Sequence, residues 1–171
     1  RPGWRRSARS RSNRPVIAMP EAAESNDMSL RILVAVDGSE YSLRAVAHVL
    51  RLREAGCDIE PHLLNVQMPL ESGHVRQFIA RESIEEYYRD EGLAQLKGAS
   101  AALEAVGQPG TTHVAVGHIA QTVTRYAAEM NFDLIVIGTH GRAGLRHAVM
   151  GSVATEVIKL ATVPVTIVKN A

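Results

Sequence analysis

LRILVAVDGSEYSLRAV, residues 30–46, decides how the chain folds. Its opening run, Leu30 to Val36, is apolar and rich in β-branched residues, as in strands buried on both faces of a parallel sheet. Asp37-Gly38-Ser39 then turns the chain. Ser39 or Ser42 can cap the helix that follows. Leu43, Val46, Ala47 and Leu50 are spaced i, i+3, i+4, i+7, which predicts its apolar face, and Gly56 marks its end.

The same alternation continues outward. DIEPHLLNV is a second strand, strongest from His62 to Val66, with Pro61 expected at its start or edge. Residues 75–106 have a helical pattern, with Gly92 and Gly98 as expected breaks. THVAV (112–116) is a third strand. Ile119, Val123, Tyr126, Ala127 and Met130 form one helix face. DLIVIG (133–138), a helix from about Ser152 to Ala161 and VPVTIVK (163–169) complete the series. Strands separated by helices pair in parallel, with right-handed crossovers. The expected fold is α/β, a doubly wound five-stranded parallel sheet with helices on both faces, Rossmann-like. Ligands in such folds sit beyond the carboxyl ends of the strands, near the switch in strand order. Asp37, Val66 and Gly138 all fall there.

Composition narrows the function. Aromatics are 4%, too few for a stacking surface that binds single-stranded nucleic acid. A net charge of +1 gives no general attraction to nucleic acid or membrane. No run of about 18 apolar residues exists to span a bilayer. Cys57 is the one cysteine, so no intrachain disulfide forms, in keeping with a reducing, cytoplasmic setting; it reads as a small packing residue. Residues 1–27 hold six Arg against Glu21, Glu24 and Asp27, and are Ser- and Pro-rich with no apolar period. They are expected to form a disordered basic tail. Met28 is read as the natural start, with a transit peptide as the alternative, and residues 28–171 form the expected domain.

GTHGRAGLRHAVMGS, residues 138–152, joins the fourth strand to the last helix. Its spacing is Gly138-x2-Gly141-x9-Gly151-Ser152. Glycines let backbone approach a ligand closely. The amides at the start of the next helix point outward unpaired, and the helix dipole favours an anion. Arg142 adds a forked cation suited to phosphate. A connection of 13 residues is long for a purely structural link. GxxxxGK[ST] and GxGxxG are both missing, which excludes a P-loop NTPase and argues against a dinucleotide oxidoreductase.

LRILVAVDGSEYSLRAV, VAVGHIAQTVTRYAAE and DLIVIGTHGRAGLRHAVMGSVATEVIKLATVPVTIVK closely resemble the universal stress protein family, over residues 29–169. The glycine spacing matches the family signature G-x2-G-x9-G-[S/T], which separates ATP-binding members from the others. The resemblance implies an adenine nucleotide alpha hydrolase-like fold and ATP, with Mg²⁺, as ligand. By position, Ala35, Asp37 and Val66 would border adenine and ribose, with Ile137 and Gly138 under the ribose. Gly141, Gly151, Ser152 and Val153 would hold the phosphates. Ala35 stands where some members have Pro, and Asn65 where many have His. Residues 67–92 are the least typical.

Asp37 could accept a ribose hydroxyl or help hold phosphate-bound Mg²⁺; Ser39 has a similar dual reading, beside turn and cap roles. His140 could reach a phosphate. The remaining histidines lack metal-ligand spacing, so no protein metal site is expected. No GxSxG elbow surrounds Ser152. The run Glu82, Glu85, Glu86, Asp90, Glu91 reads as a solvated face, and Tyr87 and Tyr88 as packing residues. The last strand leaves an apolar edge that a second copy would cover, as the resemblance also implies, giving a homodimer through Val163–Lys169. The expected function is nucleotide-dependent regulation in a stress response, with no catalytic residue. A slow ATPase or nucleotidyl transferase, and a nucleotide-free dimeric interaction module, are the alternatives.

Overall fold

The computed structural model describes residues 29–69, 81–141 and 150–169. The tail 1–27 and Arg142 lie outside them. In chain order the elements are β1 (Leu30–Ala35), α1 (Glu40–Glu54), β2 (Ile59–Gln67), α2 (Arg81–Glu104), β3 (Thr111–Val116), α3 (Ile119–Glu129), β4 (Leu134–Gly138), α4 (Ser152–Leu160) and β5 (Val165–Val168). All strand pairs are parallel, in the order β3-β2-β1-β4-β5. The chain moves outward from β1 in one direction, then returns to its other side with β4. The order therefore switches between β1 and β4, and their carboxyl ends flank a crevice.

Each face of the sheet is closed by two helices. On one face Ile32, Val34, Val36, Leu63 and Val136 pack with Val46 and Val49 of α1 and Leu96, Ala99 and Leu103 of α2. On the other, Leu33, Leu64, Ile135 and Ile137 pack with Val123 and Ala127 of α3 and Val157 of α4. Burying one such aliphatic side chain contributes about 2 kcal/mol. Among the described residues no helix is long and apolar enough to cross a membrane.

Several sequence expectations are corrected. The buried stripe of α1 is Ser42, Ala45, Val46 and Val49, not the stripe through Leu43 and Ala47, which are exposed. The small side chains face inward, and Leu43 lies over Gly98 of α2 instead. α2 runs unbroken through Gly92 and Gly98. A Cβ on Gly92 would fall 2.5 Å from Val114 Cγ1, so glycine here lets the helix approach β3; its propensity cost is only about 1 kcal/mol. Pro61 lies inside β2, opposite Ile32. The ladder to β1 uses the carbonyls of Asp58 and Leu64, so the Pro61 nitrogen faces the other way. On that side pairing with β3 begins only at His62, and no hydrogen bond is lost. Cys57 is exposed in the turn after Gly56, not packed. Tyr88 is buried, whereas Tyr87 is 51% exposed.

A polar chain crosses the amino-terminal half of the sheet. Glu60 Oε1 is 2.8 Å from His62 Nε2, His62 Nδ1 is 2.8 Å from His113 Nε2, and His113 Nδ1 is 2.8 Å from the Tyr126 hydroxyl. One proton order satisfies every link: Tyr126 donates to His113, His113 to His62, and His62 to Glu60. Both imidazoles are then neutral. Burial foremost, then His62 and Arg31, lowers the His113 pKa to about 4. Burial also lowers that of His62, partly opposed by Glu60. Arg31 flanks the chain, 3.5 Å from Glu60 and stacked over Phe132.

This chain sets a pH dependence. A folded-state pKa below the unfolded 6.5 means that the unfolded chain binds the extra proton. The stabilisation is present above pH 6.5 and is lost as pH falls toward about 4, amounting to about 3 kcal/mol for His113. Denaturant unfolding across that window should show a steeper loss for the native protein than for His113→Gln. Equal losses would refute the assignment.

Candidate functional site

The end of β1 begins the site. Asp37 follows the strand, and its Oδ1 accepts from the Ser39 amide at 3.0 Å and the Ser39 hydroxyl at 2.6 Å. Ser39 in turn caps α1, accepting from the Ser42 amide at 3.3 Å. Gly38 has φ +78, a conformation that glycine adopts without strain. The turn therefore fixes the Asp37 carboxylate at the mouth of the crevice.

The end of β4 supplies the opposite wall. Gly138 packs against the start of α1, since a Cβ there would fall 2.8 Å from the Tyr41 backbone oxygen. Thr139 is buried; its amide donates to Val168 of β5, and its carbonyl accepts from Gly151 at 2.7 Å. The two ends of the long connection are thus tied together at its base. A Cβ on Gly141 would fall 2.7 Å from Asp37 Oδ2, and one on Gly151 3.1 Å from the Thr139 oxygen. Bulkier residues at these positions would fill the space between β1 and α4.

Because the Gly151 amide is committed to Thr139, the open donors belong to the first turn of α4. Gly151 is its N-cap, and the first closing bond runs from Thr155 back to Gly151. The amides of Ser152, Val153 and Ala154 precede that bond. Together with the helix dipole they form an anion-binding terminus.

These walls enclose about 550 Å³. Ala35, Asp37, Val66, Ile137, Gly138, Gly141, Gly151, Ser152 and Val153, all expected from the sequence, line this cavity. His140 does too, and its ring lies 5.2 Å from that of Tyr41. Ser39 does not line it; its hydroxyl serves Asp37 and the helix cap. Sequence reasoning missed Gln67, Gln95, Met68 and Ile119 in the lining. Gln95 carried a readable signal, since it sits among the buried positions Tyr88, Leu96, Ala99 and Leu103 of α2. A polar side chain on an apolar stripe calls for a partner. Among the described residues no three His, Cys, Asp or Glu side chains cluster as a metal site.

An apolar cavity with one fixed carboxylate and a helix terminus at the strand switch is the layout of a nucleotide-binding α/β fold. Residues 28–169 match the sequence profile of the universal stress protein family. The chain belongs to the universal stress protein family. It is 32% identical over 147 residues to universal stress protein MJ0531 of Methanocaldococcus jannaschii, covering 82% of each. The structure of MJ0577 from the same organism superposes with a TM-score of 0.71 at 28% identity, covering 84% of this chain and 98% of that one. A universal stress protein from Archaeoglobus fulgidus, solved in complex with dAMP, superposes with a TM-score of 0.54 at 25% identity, covering 82% of this chain and 98% of the other.

Proposed function

We propose that the chain binds ATP with Mg²⁺ in this cavity and acts as a nucleotide-dependent regulator in a stress response. The observation that carries the reading is the polarity of the cavity. One end holds the first-turn amides of α4 and the backbone at Gly141, which suit phosphates. The other is floored by Ala35, Val66 and Ile137, which suit a base and sugar. Asp37 lines the same cavity beside Gly141, and its carboxylate suits a ribose hydroxyl or Mg²⁺. The dAMP bound by the Archaeoglobus fulgidus relative supports an adenine nucleotide as ligand. Asp37 is held by two hydrogen bonds from Ser39, which makes it an anchor for ligand rather than a base poised to activate water.

A homodimer through the last strand fits the same reading. The β4–β5 ladder uses the carbonyls of Pro164 and Val168. The backbone groups of Val165 and Ile167 therefore point outward along an edge that no strand pairs among the described residues. Ile158 and Leu160 on the neighbouring α4 are 47% and 43% exposed. A second copy paired along β5 would cover the edge. Sedimentation velocity of the full chain should give a dimer; a monomer throughout the micromolar range would overturn this.

Ser152→Glu separates ligand binding from folding. A carboxylate suits the first turn of a helix, so thermal stability should hold or rise. The same charge repels phosphates, and calorimetry with ATP and Mg²⁺ should show affinity reduced about ten-fold or more. Unchanged affinity would remove the phosphates from α4. No binding by the unaltered, folded protein would reject the nucleotide reading and favour the interaction module.

A further inference from the structure

Two methionines line the cavity, and the phosphate chemistry uses neither of them. Met68 directly follows β2, and Met150 directly precedes Gly151, the N-cap of α4. Met68 is 60% exposed, so a small solute reaches its side chain. Met150 is half-buried against the apolar cluster that contains Val123, Ile137 and Ala154, and these three also line the cavity. Met130 is the third methionine among the described residues. It packs against the same cluster but does not line the cavity. Cys57 is exposed before β2 begins, at the opposite end of the sheet from the cavity.

A thioether differs from the aliphatic side chains around it in one respect: its sulfur lone pairs reduce a peroxide. A lone pair bonds to one oxygen of hydrogen peroxide as the O–O bond breaks. The second oxygen leaves as hydroxide and takes the proton from the oxygen now on sulfur, which gives water. Sulfur loses two electrons and the peroxide gains them. The product is a sulfoxide, a polar group that accepts hydrogen bonds and donates none. At Met150 this acceptor enters an apolar wall, where it costs free energy unless a donor meets it. The open amides of Ser152, Val153 and Ala154 follow in the chain, and a sulfoxide oxygen that takes one of them competes with phosphate. At Met68 the sulfoxide makes polar the part of the wall that continues from Val66.

We propose that Met68 and Met150 form a peroxide-sensitive modification site that governs whether the cavity is filled. Hydrogen peroxide converts them to sulfoxides, and the cavity then holds nucleotide more weakly. The converse also follows, because a nucleotide that fills the cavity covers the same two side chains. Enzymes that reduce methionine sulfoxide make the change reversible. This control rests on the nucleotide reading above.

The test treats the full chain with hydrogen peroxide, locates sulfoxides by peptide mass spectrometry and measures affinity by calorimetry with ATP and Mg²⁺. Sulfoxides at Met68 and Met150 should weaken binding about ten-fold or more, and methionine sulfoxide reductases should restore it. Saturating ATP should slow oxidation at Met68 and Met150 but not at Met130. The double variant Met68→Leu, Met150→Leu should bind ATP equally before and after peroxide. Full affinity with both sulfoxides formed would overturn the proposal, as would a loss that persists in the variant or the absence of sulfoxide at both positions. If the untreated protein binds ATP but peroxide leaves that affinity unchanged, only the control fails. If the untreated protein binds no ATP, the nucleotide reading fails and the control with it.

Discussion

β1 is the strand on which the molecule depends. It is paired on both edges, to β2 from Leu30 and to β4 from Ile32. Ile32, Leu33 and Val34 are buried, and they face alternate helix layers. Because β2 and β4 depart from opposite edges, their crossovers leave the carboxyl end of β1 uncovered by a direct connection. Asp37 emerges at that point, and the Gly138 and Gly151 segments meet it from β4 and α4. The cavity is thus a consequence of strand order, and the side chains around it determine what it holds.

Two buried polar assemblies share β2 and do different things. At its start, Glu60 and His62 join His113 and Tyr126 in a chain where both nitrogens of each imidazole are paired within the protein. Such a satisfied network rigidifies and specifies the packing of β2, β3 and α3. At its end, Asn65 donates to the Val36 carbonyl and to Gln95 and accepts from Gln67, and both glutamines line the cavity. The first assembly lies at the amino-terminal end of β2, and the second borders the cavity.

The element order was legible because helical and strand periods alternate cleanly, and because Asp37-Gly38-Ser39 punctuates the first turn. The glycine spacing marked the α4 side of the site, since backbone amides and close approach leave a signature in residue type. Contacts between helices left no such mark. The one-residue rotation of the α1 stripe follows from Ser42 and Ala45 being small enough to face the sheet, which periodicity alone weighs against. Gly92 reads as a helix breaker in isolation, yet it is a contact point for Val114. Gln67 and Gln95 carry no mark in the sequence pattern because their places at the cavity are set by Asn65 and the Val36 carbonyl, which only the fold brings to them. The Gly151 amide is spent on Thr139, so the open amides at the start of α4 begin at Ser152, a detail that residue type does not carry.

The most direct test of the central claim is an amide NMR titration of the full chain with ATP and Mg²⁺. The account predicts large shifts at Gly141, Ser152, Val153 and Ala154, with smaller ones at Val66 and Gln67, and little change at His62 or His113. Shifts confined to other surfaces, or none at saturating nucleotide, would contradict it.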